Sequence, residues 1–252
     1  SELGEGNTLA VDLSNNTNNA TCSGTACPAF NESTRFGAGF TYDGSNDVFT
    51  STLDGTTLTK FTLSFWLHSL LTPGSQIGVF QWGNEISDGT PFVYIAQDNS
   101  NNLRFYVDNG YRLNYAISNN EWVHLAVTLN GSDDFTFYIN GESVGRYLDT
   151  STHKHQSGAL SVYYGNGFGG YFTGSIDEAR VWDYGMSENE VNFTYQSNLL
   201  KYNSTMWNFY YNTSAYKDES YNYSATATDT DGNSNQTEMR TLTGPRSNTA
   251  PT

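Results

Sequence analysis

Apolar and polar positions alternate with a period of two along most of this chain. FTLSFWLHSL (61–70), FVYIAQD (92–98), LRFYVD (103–108), WVHLAVTLN (122–130), FTFYING (135–141) and SIDEARVW (175–182) each read as β-strands. The dipeptides Asn109-Gly110, Asn130-Gly131, Asn140-Gly141 and Asn166-Gly167 fall between such runs, where a tight turn needs residues that tolerate positive φ. One stretch departs from the period. MSENEVNFTYQSNLL (186–200) repeats like a helix, with Met186, Val191 and Tyr195 on the inward side, Ser187 as N-cap and Glu190 three residues on to close a capping box. Many short strands, regular turns and a single short helix predict an all-β sandwich or jelly roll. No internal repeat of useful length is visible.

Composition narrows the classes. At 252 residues the chain is long enough to bury a large β core. The 15% aromatic content, with 18 Tyr and 24 Gly, suits strands and turns better than helices. Acids outnumber bases 26 to 11, a formal charge of -15, which argues against nucleic acid and anionic membrane surfaces as partners. No apolar run approaches the roughly 18 residues of a spanning helix, so membrane insertion is not expected, and the first residues do not read as a signal peptide.

Cys22 and Cys27, in TCSGTAC, lie close enough for a small disulfide loop, the expected state for an exported chain; two free thiols are the alternative. N-x-S/T sequons occur at Asn15, Asn19, Asn31, Asn130, Asn192, Asn203, Asn212, Asn222 and Asn235. With so much Asn, Ser and Thr, about five or six would arise by composition alone. The remainder agrees with an extracellular, N-glycosylated protein.

At this point the residues carry a resemblance. NEWVHLAVTLNGSDDFTFYINGESVG (120–145) resembles the paired-strand hairpin of laminin G-like domains in the concanavalin A-like jelly-roll superfamily, and FTGSIDEARVWDYGMSENEV (172–191) resembles their closing strand and following helix. RFGAGFTYDGSNDVF (35–49) and FTLSFWLHS (61–69) are similar to the early strands, and VDLSNNTNNAT (11–21) to the N-terminal loop, although Asn15, Thr17 and Ala20 stand where glycines are usual. The resemblance implies a laminin G-like domain over residues 1–198. It leaves function open, because this fold carries lectins, adhesion modules, enzymes and spacers.

Glycanases on this fold place carboxylates alternately along one strand, so that acid and nucleophile face the same side. Asp177 and Glu178 are adjacent, which on a strand sends them to opposite faces. EISD (85–88) lacks a third acid, and neither G-x-S-x-G, a P-loop nor a dinucleotide fingerprint occurs. The expectation is a protein without an enzymatic site. By resemblance, Asp12, Asn16 and Asp177 would hold a structural Ca²⁺ tying the N-terminal loop to the closing strand, since this ion takes hard oxygen ligands. The plainer reading has Asp177 capping a turn or pairing with Arg180, while Glu178 and Arg180 form a solvated pair. His153 and His155 have zinc-like spacing without a third ligand and read as an exposed loop, and His124 reads as structural. GNGFGG (165–170) permits a hairpin, with no helix behind it to cradle phosphate. Trp82, Tyr94, Tyr111 and Tyr164 are candidate exposed aromatics for stacking on sugars.

After the helix, residues 203–214, 218–233 and 236–244 read as three more β segments. They resemble the second half of an immunoglobulin-like or fibronectin-like repeat of secreted multi-domain surface proteins, many of them archaeal. This gives a partial Ig-like extension over 199–244 and a linker over 245–252. The family's apolar opening strand is not found ahead of VDLSNNTNNAT. If residue 1 is the mature end, the edge beside 175–182 is an open row of donors and acceptors. Three explanations stay open: a strand donated by another copy head-to-tail, filling by residues 206–211 of the same chain, or ends produced from a larger surface protein. Two function classes follow. One is a structural subunit of an extracellular appendage or surface layer, whose partners are copies of itself or neighbouring surface proteins. The other is a carbohydrate-binding adhesion module.

Overall fold

The computed structural model describes residues 6–14, 16–51, 53, 58–70, 77–82, 93–107, 110–131, 133–149, 162–164, 170–201, 207–212, 220–228 and 231–243. The chain forms two compact units, Ser1–Phe209 and Tyr210–Thr252. The first is a two-sheet sandwich. In chain order its strands are β1 (Leu9–Ala10), β2 (Ala20–Thr21), β3 (Ala29–Thr34), β4 (Gly37–Asp43), β5 (Phe49–Ser51), β6 (Phe61–Ser69), β7 (Ile77–Trp82), β8 (Val93–Gln97), β9 (Asn102–Val107), β10 (Gly110–Ala116), β11 (Trp122–Asn130), β12 (Asp134–Ile139), β13 (Glu142–Leu148), β14 (Val162–Tyr164) and β15 (Thr173–Trp182). Helix α1 (Glu188–Gln196) and a ribbon of β16 (Ser197–Lys201) with β17 (Trp207–Tyr211) follow.

One sheet runs β1-β2-β5-β14-β7-β8-β9-β10 and the other β13-β12-β11-β6-β15-β4-β3. The strand pairings within each sheet are antiparallel. All six strands read from alternation are present. Alternate residues of β6 (Phe61, Leu63, Phe65, Leu67) meet those of β8 and β9 (Val93, Ile95, Leu103, Phe105, Val107) in one core. The hairpin at Asn140-Gly141 has φ of 50° and 81°, which suits these two residues and few others.

The outer face of the seven-stranded sheet is covered too, by α1. Ala126, Tyr138, Met186 and Val191 form a second buried cluster with Trp182 against it, and Tyr195 stacks on Trp66 at 5.5 Å. The helix starts as its sequence dictates: Glu190 N–H donates to the Ser187 hydroxyl, and Ser187 N–H to the Glu190 carboxylate. It ends earlier than the period suggested. At Ser197 the backbone turns extended, and the Ser197 hydroxyl and N–H both donate to Phe193 O, so 197–201 becomes a strand. Thr62 is buried at the start of β6, where its hydroxyl donates to Tyr184 O and accepts from Met186 N–H, stapling the chain ahead of the helix to the sheet.

The second unit contains β18 (Ser220–Tyr223), β19 (Thr226–Thr228), β20 (Ser234–Gln236) and β21 (Arg240–Thr243), paired as two ribbons, β18-β21 and β19-β20. Of the three expected β segments, the first is present as β17, paired with β16, and the stretch of the other two holds these four short strands among the described residues. The alternating run 221–227 breaks at Ala225, whose N–H donates to the Thr237 hydroxyl and whose carbonyl accepts from Thr237 N–H.

Candidate functional site

The closing strand β15 carries the feature that sets this domain apart from a sealed sandwich. Thr173–Ile176 pair with β4 on one side, and Gly174–Trp182 pair with β6 on the other. The register with β6 slips between Asp177 and Arg180, where Glu178 adopts a left-handed φ of 54°. Gly174 is required at the start of the strand: a Cβ there would lie 2.1 Å from His68 O. Beyond the bulge β15 leaves β4. Among the described residues no strand pairs with Ala179–Trp182 on the β4 side.

A groove of about 950 Å³ opens beside this free edge. Its apolar lining includes Phe40, Phe49, Leu53, Leu58, Val181 and Leu13, with the Phe40 and Phe49 rings edge-to-face at 4.6 Å. Its polar rim carries Asp12, Asp177, Glu178 and Asp183 against Arg180. Leu13 is 40% exposed. The ribbon of 207–211 pairs with β16, and Phe209 stacks on Phe193 at 6.4 Å, so this segment sits elsewhere than the groove.

Asp12 and Asp177 both line the groove. Asp12 accepts Ser14 N–H at 2.9 Å and Asn18 N–H at 2.7 Å, and its own N–H donates to Asn19 Oδ1. Burial works against its charge, but these bonds hold its carboxyl below the usual range. Asp177 is buried and accepts Phe36 N–H and the Thr34 hydroxyl, at 2.9 and 3.0 Å, on one oxygen. Burial and then the Glu178 charge push it up, with Phe36 and Thr34 holding it back. Asn16 is exposed beside them. These oxygens are of the class calcium takes, and a carboxylate has lone pairs left for an ion beside the donors it already serves. Among the described residues there is no group of three or more His, Cys, Asp or Glu placed for a metal. Glu178 and Arg180 form an ion pair, and Arg180 also donates to Asn198 Oδ1, so the pair is less solvated than its spacing suggests.

Cys22 and Cys27 form a disulfide with Cα atoms 5.2 Å apart. It closes a turn whose Ala26 carbonyl accepts Val48 N–H, which fixes the strand pair beside the groove. A loop this short constrains the unfolded chain by only about 2 kcal/mol. His124 is structural: it is buried, its ring tilted against Trp66 at 5.2 Å, and its pKa is lowered to about 3 by burial and by Arg180.

Two of the aromatics proposed as exposed are not. Trp82 and Tyr94 are buried, Trp82 edge-to-face with Phe61 at 4.9 Å. Tyr111 is 51% exposed and joins Tyr106 (5.7 Å) and Tyr94 (Tyr94–Tyr106, 5.3 Å) in a row on the outer face of the eight-stranded sheet. Arg104 lies over Tyr111 and pairs with Asp98 at 2.9 Å. The side chain of Tyr164 lies outside the described residues, as do His153, His155, EISD (85–88), Asn15, Asn203 and most of GNGFGG.

A two-sheet antiparallel sandwich with a bulged closing strand and a capped helix behind it defines a lectin-like jelly roll. The chain belongs to the concanavalin A-like lectin/glucanase superfamily, through a laminin G-like family model that matches residues 43–192. Among curated proteins no sequence relative matches it. Solved structures share the fold at low identity. A Trypanosoma rangeli sialidase, solved in complex with 2,3-difluoro-KDN, is 12% identical with a TM-score of 0.57, over 76% of this chain and 31% of that one. The binding domain of Paraclostridial Mosquitocidal Protein 1 is 18% identical with a TM-score of 0.57, over 77% and 53%. A heptameric pentraxin of Limulus polyphemus is 13% identical with a TM-score of 0.51, over 62% and 80%. The chain thus spans about a third of the sialidase and about half of the mosquitocidal domain.

Proposed function

We propose that this protein is a non-enzymatic extracellular structural subunit of a surface appendage or layer, joined to its neighbours by an extended β segment that enters the groove beside Ala179–Trp182. The observation that carries this reading is the open edge of β15 over an apolar floor. A strand entering there gains main-chain hydrogen bonds and buries alternate side chains, which is how β-augmentation works. A contact of this kind is heterologous and propagates into a filament unless it closes into a ring. The disulfide supports an oxidising location outside the cytoplasm. Negative-stain electron microscopy of the native protein should show filaments. In Leu13→Asp/Ala179→Asp, which places charge in the groove at two exposed positions, they should be replaced by particles of 27.9 kDa. Wild-type protein that stays a monomer of 27.9 kDa at every concentration would sink the proposal.

A second reading rests on half-buried Tyr106 and exposed Tyr111 with Arg104 over Tyr111, an aromatic face and a polar group of the kind that hold sugars. It makes the protein a carbohydrate-binding adhesion module. Glycan-array binding that Tyr111→Ala abolishes, by a protein that does not polymerise, would put it first.

Calcium at Asp12, Asn16 and Asp177 belongs to the same proposal as a brace for the groove wall. Chelator should lower the melting temperature, and Asp177→Asn should remove that sensitivity. An unchanged melting temperature in chelator retires the ion. N-glycans are proposed at the exposed sequons Asn130 and Asn235. Asn31, whose Nδ2 donates to the Thr41 hydroxyl, should be bare in glycopeptide mapping. Occupancy at Asn31 with the two exposed sites bare would contradict this placement.

A further inference from the structure

The groove's occupant has a recognisable chemistry. The free edge of Ala179–Trp182 spans about 10 Å at 3.3 Å per residue, enough for four or five residues of an incoming strand. The rim carries Asp12, Asp177, Glu178 and Asp183 against Arg180. An acidic segment would be repelled there, and an alternating strand can pair with the edge while laying its apolar stripe on the floor, so a neutral alternating strand suits the groove.

Residues 220–228, SYNYSATAT, form such a stretch. They hold no charged residue, and Tyr221, Tyr223, Ala225 and Ala227 alternate with Asn, Ser and Thr. In the structure this run is under-supported. β18 pairs with β21 alone and β19 with β20 alone, so each keeps one edge open among the described residues. Two-stranded ribbons are marginal in water without a third strand or a packed face. Tyr223 is 52% exposed and Ala225 is exposed, so the apolar stripe has nothing settled over it at these positions. Of the segments after the helix, 207–211 is also neutral and alternating, and it is engaged with β16 and Phe193; the neutral strands of the first unit, such as β6 and β11, are paired inside its sheets.

We infer that the groove of one copy receives the 220–228 segment of a second copy, with Ala179–Trp182 supplying the main-chain edge and Phe40 and Phe49 the floor for its apolar stripe. This deepens the structural-subunit reading and rests on it. The contact is head-to-tail, because the accepting surface lies in one unit of the chain and the donor in the other. One polarity of assembly follows, with a free groove at one end of the filament and a free donor at the other.

The test uses two full-length variants. The donor variant is Tyr223→Asp/Ala225→Asp; the acceptor variant is Leu13→Asp/Ala179→Asp. All four positions are exposed, and circular dichroism should confirm that both variants fold like the wild type. Burying a carboxylate in an apolar groove should weaken the contact by about a hundredfold or more. Each variant alone should sediment as a monomer. An equimolar mixture should form a dimer of twice 27.9 kDa and nothing longer, since one intact donor meets one intact groove. A donor variant that still polymerises like the wild type overturns the segment while leaving the groove reading intact. A mixture that stays monomeric while the wild type polymerises overturns the head-to-tail contact. A wild type that never assembles removes the reading underneath.

Discussion

Acidification from pH 6.5 towards pH 4 should destabilise the first unit by about 1.4 kcal/mol per pH unit through His124 alone. Folded His124 titrates at about 3 and its unfolded value is 6.5. Within that window the unfolded chain binds a proton the folded chain refuses. The contribution is therefore fully present above 6.5 and is lost as pH falls towards 3. Asp177 acts in the opposite sense, since its folded value is raised and protonation favours the folded form just above the ordinary carboxylate range. Asp12 and Asp98 are lowered, so their contributions are held above that range and lost only below it, outside most of the His124 window. Urea unfolding of wild type and His124→Leu between pH 7.5 and 4.5 reads the difference as one proton in the slope. Equal slopes would mean that His124 is solvated and titrates normally.

Phe65→Ala should cost about 3–5 kcal/mol. Phe65 is fully buried on β6, the strand that ties β11 to β15, and its ring lies 5.8 Å from Phe80 across the core. The surrounding strands are paired on both sides and cannot collapse into the cavity. Leu148→Ala, on a strand at the sheet edge and 55% exposed, should change stability by less than about 0.5 kcal/mol in the same urea titration. Equal losses at the two positions would show that β6 does not have the register described.

How much of this was legible in the sequence depended on which faces are buried. β9 alternates visibly because Arg104 and Tyr106 face outward while Leu103, Phe105 and Val107 face the core. β7, IGVFQW, is buried at all six positions, so its pattern carries no period and it was not singled out. The helix start was legible in Ser187 and Glu190, because capping is a local side-chain event. Its end was not, because the switch to β16 depends on which strand the chain meets next. The disulfide followed from two nearby cysteines, while Trp82 and Tyr94 were misplaced because burial of an aromatic is decided by what folds over it. Alternation in SIDEARVW found β15, but the adjacent Asp177 and Glu178 gave no sign of the bulge at Glu178 that swings the strand away from β4. That bulge creates the groove.

The central claim is that the edge of β15 beyond this bulge is completed by a strand from outside the domain. Hydrogen exchange of the peptide containing Ala179–Trp182, measured from dilute to concentrated protein, tests it most directly. Protection that rises with concentration, and that Leu13→Asp/Ala179→Asp abolishes, is the expected result. Exchange equally fast at every concentration would contradict the account.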